Sequence, residues 1–182
     1  MSQDIRICIP TTGQIDSRLV QWLTSRNRDP LIESGNGGVW QNREVMAQHF
    51  LKRGDRDWAL FLDDDNVPQD DSVFSFVKRQ PPGAYVLPYV LKKLSWSFWP
   101  EKEKRTGTDM WPLREYDARA YDGFELEPVS IFCGSGVFLH RSLMEKMGGQ
   151  VFEPRTEGVS EDIVFSAKVT QTVDAPAYAV LG

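Results

Sequence analysis

Three consecutive carboxylates, Asp63, Asp64 and Asp65, follow the apolar run Trp58-Ala59-Leu60-Phe61-Leu62 and precede Asn66-Val67-Pro68. Adjacent negative charges repel one another, so such a cluster is costly unless a cation shares it. Hard oxygen ligands in this number suit Mg²⁺ or Mn²⁺, and those ions suit phosphate-bearing substrates. A solvated Asp-rich turn is the plainer alternative, since aspartate is common in loops. The strand in front favours chemistry: five apolar residues without interruption read as a strand buried on both faces. In open α/β sheets, ligands bind outside the carboxyl ends of the strands, where this cluster falls.

Other candidate groups lie at similar places. Thr11-Thr12-Gly13 follows a first strand, Ile5 to Ile9, closed by Pro10. Glu33-Ser34-Gly35-Asn36-Gly37-Gly38 follows a short second strand at Leu31-Ile32. Such loops can present backbone N–H groups to a nucleotide, although glycine-rich turns are mostly only turns. Neither G-x-x-x-x-G-K-[ST] nor G-x-G-x-x-G is present, so P-loop and dinucleotide fingerprints are excluded. Gln41-Asn42-Arg43 opens a helix near the same sheet end, and Gly134-Ser135-Gly136 follows the apolar run Val129 to Cys133. Ser160 is a good N-cap, and Glu161 and Asp162 behind it suit the dipole of a first helical turn. Capping alone is a sufficient structural role for both acids. His49 and His140 read as surface or packing residues.

The elements that must position these groups alternate. Strands are expected at 5–9, 31–32, 58–62, 84–90, 129–133, 137–139 and 177–181. Helices are expected near 15–23, 39–51, 73–77 and 141–147 and after Ser160, with Asp16 or Ser17 capping the first. The β-α-β-α-β-α-β order implies a single α/β domain with a mainly parallel central sheet flanked by helices, plus a short antiparallel addition. Residues 92–128 break the rhythm. They hold Trp96, Phe98, Trp99 and Trp111 without a clean period, and so long a span is usually functional or disordered. Aromatic faces stack on sugar rings, so this insertion reads either as an acceptor-binding flap or as a local mini-core.

A length of 182 residues fits one domain. The net charge of −5 argues against a nucleic-acid backbone as main partner, which needs a basic surface. Cys8 and Cys133 sit in apolar runs, as expected of core thiols in a reducing compartment. With no apolar leader and no run near 18 apolar residues, no transmembrane segment and a cytoplasmic location are expected.

Pro-Thr-Thr after strand one, then L-D-D-D-N-V-P, G-S-G-V-F-L-H-R and S-E-D-I-V-F, together resemble a GT-A fold (Rossmann-like), family-two-like nucleotide-sugar glycosyltransferase. The resemblance spans roughly residues 5 to 181. It implies transfer of a sugar from a UDP- or GDP-sugar donor to an acceptor hydroxyl, inverting and dependent on Mn²⁺ or Mg²⁺. Asp63-Asp64-Asp65 is similar to the family's D-x-D motif, in which Asp63 contacts the donor ribose and Asp65, with Asp63, binds the metal. Pro10, Thr11, Thr12, Gly13 and Glu33 would line the nucleotide pocket, with Asn42, Arg43 and Asp64 at the donor. Gly134, Ser135 and Gly136 would floor the sugar site. Asp162, beside Glu161, would deprotonate the acceptor, with Trp96, Trp99 and Trp111 on the acceptor side. Two departures stand out. The first loop reads P-T-T-G rather than P-x-[YF]-N, and no histidine follows Ala179-Val180-Leu181-Gly182, where the family often places a further metal ligand. A weaker metal site, or a chain truncated at its C-terminus, is the expectation from the second.

Three competing readings use the same residues. A haloacid-dehalogenase-like phosphatase matches D-x-D-x-[TV], but its motif normally follows the first strand. A nucleotidyltransferase on a similar sheet and a non-catalytic nucleotide-sugar-binding relative are the others.

Overall fold

The computed structural model describes residues 5–35, 37–88, 98–100 (backbone only), 123–154 and 159–181. Their order is β1 (Ile5–Thr11), α1 (Ser17–Ser25), β2 (Leu31–Ser34), α2 (Val39–Arg53), β3 (Trp58–Phe61), α3 (Ser72–Val77), β4 (Ala84–Val86), β5 (Phe98–Pro100), β6 (Glu125–Phe132), β7 (Val137–His140), α4 (Arg141–Lys146), α5 (Glu161–Ala167) and β8 (Ala177–Leu181). A π-helical turn, Lys168–Thr172, extends α5.

Period-two alternation divides the core between the two faces of the sheet. Ile5, Ile7, Ile9, Leu60, Leu62 and Phe138 pack with Leu19 and Trp22 of α1 and Val73 and Phe74 of α3. Cys8, Ala59, Phe61, Val137 and Leu139 pack on the other face with Met46 and Phe50 of α2, Leu143 of α4 and Phe165 of α5. The uninterrupted apolar run of β3 is therefore covered on both sides, as its composition requires. Burial pushes the Cys8 thiol up to about 12, although Arg6 works against it.

The eight strands lie in the order β2-β1-β3-β7-β4-β8-β6-β5. β1 runs parallel to β2 and β3, and β4 runs parallel to β8. The other neighbouring pairs are antiparallel: β3 with β7, β7 with β4, β8 with β6, and β6 with β5. The sheet is mixed, which corrects the expected mainly parallel arrangement. Its first three strands do follow the β-α-β pattern. β7, however, is entered from the Gly134–Gly136 loop, beside the carboxyl end of β3, and can only run back. Phe61 thus faces Val137 and Trp58 faces His140. The strand expected from Val129 starts at Glu125, so the last residues of the 92–128 span pair with β8 through Glu125↔Leu181 and Pro128↔Tyr178. Of the strand expected over 84–90, β4 covers 84–86, and residues 89–90 lie outside the described residues.

Pro10 does not end β1, which continues alongside β2 to Thr11. It does end the pairing with β3. Leu62 N–H donates to the Cys8 carbonyl at 2.9 Å, and the next bond of a parallel ladder needs an N–H that Pro10 lacks. The β1–β3 ladder ends here, and the carboxylates Asp63 to Asp65 follow directly beyond it.

Candidate functional site

The Asp63–Asp65 segment forms a turn beyond β3, closed by Asn66 N–H donating to the Asp63 carbonyl at 3.1 Å. Two bonds tie it to the loop after β1. The Asp64 carbonyl accepts from Asp16 N–H at 2.8 Å, and Asp64 Oδ2 accepts from Thr12 N–H at 3.4 Å. Asp16 also caps α1, accepting from Arg18 N–H at 2.7 Å. Thr11 is buried; its hydroxyl accepts from Gly13 N–H at 3.0 Å and donates to the Gln14 carbonyl at 3.1 Å.

On the other side the turn meets the Gly134–Gly136 loop. The buried Ser135 hydroxyl accepts from Asp63 N–H and from Asn66 Nδ2, each at 3.0 Å. Gly136 has φ +64°, and Leu87 N–H donates to its carbonyl at 2.7 Å. Gly134 N–H donates to Asp162 Oδ1 at 2.8 Å. A Cβ at Gly134 would stand 2.7 Å from Arg43 Nη1 and 3.0 Å from Asp162 Oδ1, so only glycine leaves room for that contact.

Arg43 of α2 joins the two ends. Its Nη2 donates to Asp63 Oδ1 at 2.7 Å and its Nη1 to Asp162 Oδ1 at 3.3 Å. Burial opposes the charge on this guanidinium, yet Asp63 and Asp162 more than offset it and hold the pKa above the ordinary arginine value. Asp162 sits in the first turn of α5, which Ser160 caps by accepting from Ile163 N–H at 3.4 Å. Burial is the largest influence on Asp162 and raises its pKa above the usual carboxylate value. Arg43 and the Gly134 N–H pull it down, while Glu161 and Asp63 add smaller upward pushes. A carboxylate tuned in this direction is a better base near neutral pH.

The residues flanking Arg43 hold two more segments. Asn42 Nδ2 donates to the Thr11 carbonyl at 3.3 Å. Glu44 Oε2 accepts from Val151 and Phe152 N–H at 2.8 and 2.7 Å. The helix α2 thus holds, in three consecutive residues, the loop after β1, the carboxylate pair, and the segment after α4.

The structure therefore assembles Thr11, Thr12, Asp63, Asp64, Asn42, Arg43, Gly134, Ser135 and Asp162 into one network. Pro10 contributes through its missing donor. Glu33 stands apart on β2, its Oε1 3.5 Å from His49 Nδ1. Asp65 is exposed, and its side chain makes no hydrogen bond to a described residue; nor does that of the half-buried Glu161. Trp96 and Trp111 lie outside the described residues; of Trp99 only the backbone is described, paired with Ile131. Among the described residues no group of three or more His, Cys, Asp or Glu is arranged to hold a metal ion. Asn66 and Glu44 were not singled out from the sequence. Asn66 carried a signal, as the first neutral polar residue after three acids, whereas Glu44 carried none.

The fold is glycosyltransferase-like. The chain superposes on A197 from STIV with a TM-score of 0.74 at 22% identity, over 97% of this chain and 81% of that one. It also superposes on TarS of S. aureus, a glycosyltransferase, with a TM-score of 0.51 at 12% identity, over 97% of this chain and 36% of TarS. The chain thus spans about a third of the length of TarS. No family model and no curated protein sequence matches the chain. Among the described residues no helix is long and apolar enough to cross a membrane.

Proposed function

We propose that this protein is an inverting glycosyltransferase that moves a sugar from a UDP- or GDP-sugar to an acceptor hydroxyl. The observation that carries the reading is the meeting of the Asp63–Asp65 turn, the Gly134–Gly136 loop and a half-buried, pKa-raised Asp162 beyond the carboxyl end of β3. Asp162 Oδ1 is engaged by Arg43 and Gly134, while Oδ2 accepts no hydrogen bond from the described residues. Oδ2 takes the proton of the acceptor hydroxyl as that oxygen bonds to the anomeric carbon. The bond from that carbon to the diphosphate breaks, and its electron pair leaves with the diphosphate. The backbone of Thr12 and Gly13 and the Gly134–Gly136 loop line the site for the donor.

The acids fit Mn²⁺ or Mg²⁺ in part. Asp65 is exposed and Asp63 Oδ2 is unengaged by the described residues, and such ions are commonly held by one or two carboxylates plus substrate phosphates. When bound, the ion supplies positive charge against the leaving diphosphate. Calorimetric titration of UDP and GDP, with Mn²⁺ and with EDTA, on wild type and Asp65→Ala tests the reading. Metal-dependent binding that Asp65→Ala abolishes is the expected result; no binding of either nucleotide under any condition would sink it. The engagement of Asp63 by Arg43 favours a second reading, a relative that binds nucleotide-sugars without turning them over. Binding without release of nucleotide from UDP- or GDP-sugars would establish that instead.

A further inference from the structure

We propose that Arg43 is a positioning residue for the transfer reaction, holding the base Asp162 and the donor-side Asp63 in register, and is not itself a ligand of the donor. The inference rests on the transferase reading above. Its geometry does not: one planar guanidinium, almost wholly buried, forks between two carboxylates from segments that are 20 and 119 residues away in sequence. Both of its terminal nitrogens are committed, and its Nε is buried with no partner among the described residues. The side chain is 5% exposed, so little of it is open to an incoming ligand.

Three consequences follow from that fork. Asp162 Oδ1 is saturated by Arg43 and Gly134, so the carboxylate plane is fixed and Oδ2 alone remains for the acceptor proton. Two carboxylates beside the path of a diphosphate would repel each other and the donor; a shared cation removes much of that repulsion. A lysine cannot substitute fully, because an ammonium is a point charge without two fixed arms. The glycine at 134 belongs to the same device, since any side chain there would press on both Arg43 and Asp162.

The test is steady-state nucleotide release from UDP-glucose, UDP-N-acetylglucosamine and GDP-mannose with Mn²⁺, water serving as acceptor. Arg43→Met is expected to lower kcat about 100-fold while donor KM moves by less than about 3-fold, as for misplaced rather than missing contacts. Arg43→Lys should recover part of the loss. Arg43→Met in an Asp162→Asn background should cost little more, because the residue acts through Asp162. A rise in donor KM with kcat unchanged, or full additivity with Asp162→Asn, would overturn the proposal and make Arg43 a donor ligand. If Arg43→Met fails to fold, Arg43→Lys and Gly134→Ala carry the same comparison of kcat against KM. If wild type neither binds nor cleaves any of the three, the transferase reading falls. The Arg43–Asp162 coupling is then read by urea unfolding. Equal destabilisation by Arg43→Lys in wild-type and Asp162→Asn backgrounds overturns the positioning geometry as well, and a smaller loss in the Asp162→Asn background upholds it.

Discussion

Two buried arginines sit at opposite ends of this sheet, and each binds two aspartates. Arg6, near the start of β1, reaches Asp29 at 3.3 Å and Asp55 at 2.9 Å. Arg43, at the carboxyl end of β1 and β3, reaches Asp63 and Asp162. The arginine side chains are equally buried, at 6% and 5% exposed. Their partners are not alike. Asp29 and Asp55 are 89% and 45% exposed, whereas Asp63 and Asp162 are 31% and 30% exposed. At the first end water solvates the carboxylates and the arrangement ties two connecting loops to the sheet. At the second, half-buried carboxylates lie beside the glycine-rich loop at 134–136, less screened by water. The same residue types thus give a fastening in one place and, under the proposed function, chemistry in the other, the difference lying in how far water reaches the acids.

That contrast can be broken in four ways. The largest effect is expected from Asp162→Asn, which should lower nucleotide release about 1,000-fold without unfolding the protein, within the usual range for loss of a general base. Unchanged turnover would deny Asp162 the role of base. Arg6→Met should do the reverse, losing about 2 kcal/mol of stability to urea while turnover stays at the wild-type level. A loss of activity at constant stability would show the two ends to be coupled.

A smaller effect concerns pH. The native pKa of Asp162 lies above its unfolded value, so its favourable contribution is complete below the ordinary carboxylate value of 3.8 and is lost as pH rises through the raised value. Above that point wild type carries a buried charge that Asp162→Asn lacks. The melting temperature of Asp162→Asn relative to wild type should therefore climb as pH is raised from about 4 to about 7. A flat difference would mean that Arg43 and Gly134 fully compensate the burial. The least effect is expected from Asp29→Asn. Asp29 itself is so exposed that the unfolding free energy should fall by less than about 1 kcal/mol.

Much of this organisation is legible in the chain itself. The alternation in Ile5-Arg6-Ile7-Cys8-Ile9 and the unbroken run of β3 point to a sheet covered on both faces. The three aspartates are visible as candidates because their type and spacing are unusual, whereas Gly134-Ser135-Gly136 and Asp162 are singled out through the resemblance of their motifs. Strand direction is not written in hydrophobicity, since Val137-Phe138-Leu139 reads the same whichever way it runs; hence the mixed sheet was missed. Long-range pairing is equally silent. Nothing around Arg43 or Glu44 announces partners more than a hundred residues away, so the part of this helix in holding three separate segments could not be read from the sequence. The pKa of Asp162 is raised chiefly by burial, which local spacing does not show.

The frame has a consequence for how this fold can vary in length. Successive residues of an α-helix point about 100° apart, so Asn42, Arg43 and Glu44 reach three different segments only at one phase of the helix. Met46, Ala47 and Phe50 fix that phase by packing into the core, so a single residue inserted between Glu44 and Met46 would turn all three away from their partners together. An insertion before Gly38, in the connection from β2, leaves that phase intact and costs little. Length changes are therefore accommodated ahead of α2, whereas between Glu44 and Met46 the count of residues is fixed by three contacts at once.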